Sequence, residues 1–422
     1  MGVVIIHSHL HPGGVRTVIE NQITALGSMK SKVLVGASDV AQISGANIEV
    51  IPELNYLNPD MTRQAYLDLY NILMQKIKQV ISDDDIIHVH NINLGKNPVA
   101  TLVLSDLAKN NQAYYNHCHD FAEDGRPDNL KFLKYIIEDC FGRNLAEVMY
   151  FNRPNCMYAV LNKRDFKFLT TQGIDIEHIQ FLPNCVSHIG CTFKRSKQEC
   201  LDLINVDSSK QTIVYPVRVI KRKNIGEFIL LASIFTEYNW CVTLAPRNPE
   251  EIVEYKKWQL FCQENNIEIF FEIGKKLHFD EVMNIADRLI TTSVQEGFGM
   301  AYLEPWLYDK SIFGRDITNI TEDFKSCGLD LRDCYTSLNI YENDFANYAS
   351  ALQKKYILEI LNNLGLSAQI RQLPELAPLL KDIDKNIVNK NKHIVQKCYS
   401  IDAYAKTLKE NYAKITKSIS SS

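Results

Sequence analysis

From end to end, this chain alternates short apolar runs with longer amphipathic stretches, and no other feature restricts its fold as much. A run such as VVII at 3–6 is continuously apolar, so it fits a strand buried on both faces, and the 3.6-residue periodicity that follows supplies the covering helix. In the first half, strands are expected at 3–6, 32–35, 48–51, 85–90, 113–118, 158–161 and 179–182, with helices at 15–26, 61–81, 98–109 and 130–141. A second series adds a strand closing at Arg218, a helix at 227–238, and strands at 241–244, 267–271, 289–292 and 311–314. Such alternation builds doubly wound parallel sheets. At 422 residues the chain exceeds one ordinary core. The expected division is a domain at 1–190, a polar, weakly patterned linker at 191–211 with a short helix in this region, a second domain at 212–385 and a helical segment at 386–422.

Composition excludes several classes. A formal net charge of −4 and the lack of a basic stripe argue against a nucleic-acid partner. Eleven cysteines are scattered without C-x-x-C spacing, which fits reduced thiols and a cytoplasmic location. The first apolar run stops at His7 and has no basic segment before it, so it reads as a strand and not a signal peptide. No stretch approaches the ~20 apolar residues that span a bilayer, so no transmembrane segment is expected.

Four stretches carry candidate chemistry. In TTSVQEGFGMAYLEP a strand empties into a glycine-flanked loop and then a helix, with Glu296 in the loop and Glu304 eight residues on. Gly299 and Met300 are expected near that helix N-terminus, where free backbone N–H groups seat a phosphate. In VYPVRVIKRKN an apolar strand ends at Arg218 and Lys223 follows five residues later. Two cations at the carboxyl edge of an α/β sheet point to a ligand crevice. HSHLHPGGVR pairs Gly13 with Gly14 in a turn between strand and helix, where backbone can approach a ligand closely. YYNHCHDF ends a strand at His119 and Asp120. His117 and Cys118 beside it have no second group at zinc spacing along the chain, so no metal is expected.

Together these stretches resemble the retaining glycosyltransferases of family 4 with their E-x7-E signature. The resemblance implies the GT-B architecture, two Rossmann-like doubly wound parallel-sheet domains facing across a cleft, with a C-terminal helix near 401–415 returning to the first domain. Asn224 and Cys185 stand where the family usually has glycine. It further implies transfer of a hexose from a nucleotide-sugar of the UDP-glucose or GDP-mannose type, with retention, no cofactor and no metal. By resemblance His119, Glu296, Arg218 and Lys223 are the catalytic set. The donor-binding set is Gly13, Gly14, Arg218, Lys223, Glu296, Gly297, Phe298, Gly299, Met300 and Glu304, with Glu304 on the ribose. Another GT-B activity such as a sugar-nucleotide epimerase, and a non-catalytic binding protein, are the competing classes. A dinucleotide dehydrogenase lacks its G-x-G-x-x-G fingerprint here.

A small soluble polar acceptor is expected, with a lipid or polysaccharide acceptor as the alternative. Lys131 and Lys134 at 130–141 are balanced by Glu138 and Asp139, so that helix offers no basic docking face. Candidate acceptor contacts are His9, His11, Arg16, Asp124, Arg126 and Arg153.

Overall fold

A computed structural model describes residues 2–11, 13–39, 42–43, 45–186 and 194–421. The chain divides into two compact units, Met1–Cys185 with Tyr399–Ser422, and Val186–Cys398. The first holds strands β1 (Val3–His9), β2 (Ser31–Ala37), β3 (Gln42–Ile43), β4 (Ala46–Val50), β5 (Ile86–His90), β6 (Ala113–Cys118), β7 (Cys156–Val160) and β8 (Ile179–Phe181). Their order is β3-β4-β2-β1-β5-β6-β7-β8, parallel throughout except for β3, which pairs antiparallel with β4 at the edge. The second unit holds β9 (Thr212–Arg218), β10 (Asn239–Leu244), β11 (Arg288–Thr291), β12 (Ile312–Arg315) and β13 (Cys334–Tyr335), all parallel in the order β10-β9-β11-β12-β13.

The strand orders place each ligand crevice. In the first unit the chain winds outward from β1 through β2 and β4, then returns to β5 on the other side of β1. The second winds from β9 to β10 and returns to β11. Two such reversals open crevices at the carboxyl ends of β1/β5 and of β9/β11, because the crossover helices there depart to opposite faces.

Both sheets are buried on two faces, as their apolar runs require. The helix Gly14–Leu26 buries Ile19, Ile23 and Leu26 with Val3 and Ile5, and the C-terminal helix Ile401–Ser421 adds Tyr404, Leu408, Tyr412 and Ile415 to the same core. The opposite face carries Val4, Ile6, Leu34 and Ile87 against Val99, Val103 and Leu107 of the helix Pro98–Lys109. In the second unit Phe228, Leu231 and Phe235 pack with Tyr215, Trp240 and Val242. No helix of the described residues is long and apolar enough to cross a membrane.

Several expectations need correction. The short helix expected with the linker at 191–211 is Lys197–Ile204, opened by a reciprocal Ser196–Glu199 capping box. Its Cys200, Leu201 and Ile204 join the core of the second unit beneath Val214 and Leu289, so it is not a linker; the boundary expected at 190/191 lies outside the described residues. The C-terminal segment 386–422 also splits. Helix Lys385–Cys398 stays with the second unit, where Asn391 bonds the backbone of Asp330, and only Tyr399 onward belongs to the first. The strand expected at 267–271 forms a single bridge, Cys241 to Phe270, because Asn266 (φ 54) and Glu272 (φ 60) break the extended backbone on either side. The helix expected at 130–141 runs Pro127–Lys134 and then widens into a π-turn at Tyr135–Cys140.

Candidate functional site

In the second unit, the loops leaving β9 and β11 meet at the crevice. Tyr215 sends its hydroxyl to the Lys223 carbonyl (3.0 Å), and Thr292 Oγ1 donates to the carbonyls of Lys223 (2.9 Å) and Asn224 (3.1 Å). The Val294 N–H donates to the Arg222 carbonyl at 2.9 Å. Asn224 sits at φ 47, the left-handed conformation that suits glycine and that asparagine tolerates. Its side chain bonds Glu227 (3.0 Å), a fully buried carboxylate held by Arg315 Nε at 2.8–2.9 Å and by the Tyr335 hydroxyl at 2.8 Å. The basic turn is therefore anchored from behind by buried, hydrogen-bonded groups.

On this frame the carboxylate of Glu296, buried at 8% exposure, lies between two cations. Lys223 Nζ pairs with its Oε1, and Arg222 Nη1 donates to its Oε2 at 3.3 Å and to the Gln295 carbonyl at 3.2 Å. Burial pulls the Lys223 ammonium below its usual range and the Glu296 charge opposes that shift. Arg218, at the end of β9, donates to the Ala245 carbonyl at 2.6 Å. Among the described residues no carboxylate pairs with it, and burial and then the Arg247 charge lower its pKa.

The expected helix at 299 is corrected to two short pieces. Gly299 takes φ 90 and opens a 3-10 turn, Met300–Tyr302, after which Glu304–Leu307 forms one helical turn. Pro305 has no N–H to give and breaks the ladder between them. Glycine is needed at 299, since a Cβ there would stand 2.9 Å from both Ile320 Cγ2 and Tyr302 Cδ2. Phe298 is buried edge-on against Phe324, which fixes the loop while Gly297 stays at its mouth. Among the described residues the N–H groups of Gly299, Met300 and Ala301 have no acceptor. Glu304 stands in the first turn of the second piece, half-buried. Burial pushes its carboxyl up to about 7, with no cation acting on it.

The first unit gathers histidines at its own crevice. Period-2 spacing puts His88 and His90 on one face of β5, and the register sets His90 opposite His117 on β6. His119, just past β6, is 6% exposed, with its ring stacked on His90 at 5.2 Å and its Nε2 2.9 Å from His90 Nδ1. Burial lowers the pKa of His7 and of His119 to about 3, and holds His88, His90 and His117 well below the ordinary range. All five rings are neutral at physiological pH. His88, His90 and His117 also bring three nitrogens within 4.8 Å of one another. The expectation of no metal rested on spacing along one strand, so it missed this grouping, which forms between strands.

The remaining candidates of this unit fall into three places. Gly13 is extended (φ 171), and a Cβ on Gly13 or Gly14 would meet nothing closer than 3.8 Å, so neither glycine is demanded by the backbone and both leave open space. His9 lies between His11 and Tyr56, His11 pairs with Asp39 at 2.9 Å, and Arg16 pairs with Glu20 at 2.8 Å. Past β6, Asp124 faces Arg164 at 3.7 Å. Arg126 binds Asp120 at 2.5 Å and lines a cavity of about 410 Å³ with Lys96, Asp128 and Asn129. Arg153 is misplaced in the expected set. It precedes the start of β7 and donates to the Lys109 carbonyl, at the amino edge of a parallel sheet whose carboxyl edge carries His119. About five residues of strand, ~16 Å, separate the two edges.

Residues that sequence reasoning missed include Arg222, Lys96, Gln22, His7, His88, His90 and Tyr412. The histidines had a signal in H-x-H at 7–9, 88–90 and 117–119, three strands repeating one alternation. Arg222, the middle residue of the basic K-R-K turn, had none.

Two parallel-sheet Rossmann-like units with crevices at their switch points define the GT-B fold. No family model matches the chain. A mannosylglucosyl-3-phosphoglycerate synthase of Petrotoga mobilis is 30% identical over 348 residues, 76% of this chain and 66% of that protein, so the match spans just under two thirds of the relative's length. Solved structures share the fold at low identity. Anabaena Alr3699/HepE in complex with UDP-glucose superposes with a TM-score of 0.63 at 12% identity, covering 98% of this chain and 99% of that one. Sucrose-phosphate synthase from Thermosynechococcus elongatus gives 0.61 at 11%, covering 99% of each chain.

The neutral histidines make stability pH-dependent. Their folded pKa values lie below the ordinary 6.5, so only the unfolded chain takes up protons as pH falls through 6.5 toward 3. Stability is complete above pH 6.5 and is lost below it, by up to roughly 1.4 kcal/mol per pH unit for each ring. Urea denaturation should show a lower midpoint at pH 5.5 than at 7.5; equal midpoints would mean that the rings are not buried neutral.

Proposed function

We propose that the protein is a retaining glycosyltransferase that moves a hexose, in the first instance glucose from UDP-glucose, to a hydroxyl of a small anionic acceptor. The observation that carries this reading is the cation arrangement at the β9/β11 crevice. Lys223 and Arg222 hold Glu296, and Arg218, at the carboxyl end of β9, has no acid of its own among the described residues. A diphosphate fits Arg218, Lys223 and the open amides of Gly299 to Ala301. Glu296 then meets hydroxyls of the transferred sugar, and Glu304 accepts from the ribose. The UDP-glucose complex of a protein with this fold supports the donor assignment.

In the reaction the anomeric C–O bond to the diphosphate breaks and its electron pair leaves on the phosphate oxygen, where the cations offset the growing charge. The acceptor oxygen attacks from the face the phosphate is leaving, through an oxocarbenium-like state, and its proton passes to a departing phosphate oxygen. Configuration is retained without a nucleophilic carboxylate. The acceptor reading rests on Arg126 and Lys96 around their cavity and on the phosphoglycerate in the relative's name. His9 and His11 remain candidate contacts for its hydroxyls.

Replacing Arg218, Lys223 or Glu304 by alanine should leave the fold intact by circular dichroism. Loss of either cation should cut turnover about a hundredfold, ~3 kcal/mol of transition-state stabilisation, and loss of Glu304 should act mainly on donor affinity. Wild-type turnover in all three variants would remove the site assignment. Because the Glu304 carboxyl titrates near 7, donor affinity measured by calorimetry should rise from pH 6 to pH 8 and stay flat in Glu304→Gln. Arg126→Ala should raise the acceptor KM at least tenfold with the donor KM little changed; equal effects on both would detach Arg126 from the acceptor. Prolonged EDTA treatment should leave most activity intact, and loss restored by a divalent ion would replace this metal-free scheme.

A further inference from the structure

One buried glutamine decides which nitrogen of His119 carries its proton. Gln22 lies on the helix Gly14–Leu26 with no exposed surface, and both ends of its amide are bonded within the histidine group. Its Oε1 is 2.6 Å from His90 Nε2. An amide oxygen only accepts, so His90 Nε2 carries the hydrogen. His90 is neutral, which leaves its Nδ1 with a lone pair, and His119 Nε2 lies 2.9 Å from that atom. His119 therefore donates from Nε2, and its Nδ1 holds the lone pair. Among the described residues that Nδ1 has no hydrogen-bond partner.

The other end of the amide agrees with this orientation. Gln22 Nε2 donates to the Tyr412 hydroxyl (3.0 Å) and lies 2.9 Å from His88 Nδ1, which is 2.6 Å from the same hydroxyl. Two donors on one side make His88 Nδ1 the acceptor, so its Nε2 carries the hydrogen toward His117 Nδ1 at 3.2 Å. The hydrogen of His117 then sits on Nε2, a buried atom with no hydrogen-bond partner among the described residues.

We infer that Gln22 is a positioning residue for the proposed transfer: through His90 it locks His119 as the Nε2–H tautomer, so that His119 offers substrate an accepting Nδ1 and takes a hydrogen bond from a sugar hydroxyl. In that state His119 does not donate to a phosphate, and its buried ring is too weak a base to remove the acceptor proton. This assignment rests on the transferase reading for its substrate, whereas the tautomer itself does not.

The test uses the full chain labelled with 15N-histidine, with the His119 signals identified by their loss in His119→Asn. In the wild type His119 should show an unprotonated Nδ1 and a protonated Nε2 at pH 7.5. Gln22→Met keeps the volume and removes the acceptor, so the His119 signals should become a mixture of tautomers, and kcat should fall at least tenfold with the donor KM within threefold. Gln22→Glu retains an oxygen facing His90 and should restore the single tautomer and most of kcat. Tyr412→Phe, which leaves Gln22 Oε1 in place, should not change the His119 pattern. A protonated Nδ1 on wild-type His119, or equal spectra in Gln22→Met and wild type, would overturn the inference, as would equal loss in the Met and Glu variants, which marks a packing role. A wild type that transfers from no nucleotide-sugar would count against the transferase reading alone, since the spectrum reads the tautomer by itself.

Discussion

A parallel sheet covered on both faces has one place where polar groups leave the core in order, the carboxyl edge of its strands, and a crevice opens there only where the winding reverses. Both units obey this constraint. The reversal between β9 and β11 brings the loop of Arg218 to Asn224 against that of Ser293 to Gly299, and the Val294 to Arg222 backbone bond laces the two. The reversal between β1 and β5 does the same for the glycine pair and the first histidines. Side chains far apart in sequence become neighbours because the strands beneath them must pair.

Each crevice then solves a desolvation problem. Burying Glu296 costs less with Lys223 and Arg222 on its two oxygens, and the deeper pair of Glu227 and Arg315 is completed by Tyr335 and Asp344. Removing one partner of such a buried pair typically costs ~3–5 kcal/mol, because the other charge is left without compensation. The histidines of the first unit meet the same pressure differently. They give up charge altogether and bond to one another, to Gln22 and to Tyr412. Glu296 keeps its charge between two cations, whereas the histidine cluster carries none.

The strand positions were legible because an apolar run between amphipathic helices has few other uses. Strands came out within one to three residues of expectation across most of both sheets. The exceptions share a local cause: 267–271 was interrupted by residues at positive φ, and the helix after Gly299 was split by Pro305. The short helix of segment 191–211 was legible but its packing was not, because only three of its positions, Cys200, Leu201 and Ile204, are buried within a polar stretch. The structure joins Lys223 to Glu296 in an ion pair, and the motif stretches of the sequence named both residues. Arg153 was misread, since nothing in an isolated F-N-R-P-N tells which edge of the sheet it will occupy.

By itself, the sequence determined the parallel two-unit architecture and the local turns. Periodicity, proline and the tolerance of Asn224 for a left-handed backbone are properties of neighbouring residues. Only the tertiary structure decided which side chains share a crevice and in what protonation state. It put Arg222 on Glu296, left Glu304 without a cation, joined Gln22 to Tyr412 across 390 positions of chain and fixed the hydrogens of the rings between them. Those outcomes depend on burial and on contacts between strands and helices remote in sequence, and no local pattern encodes either.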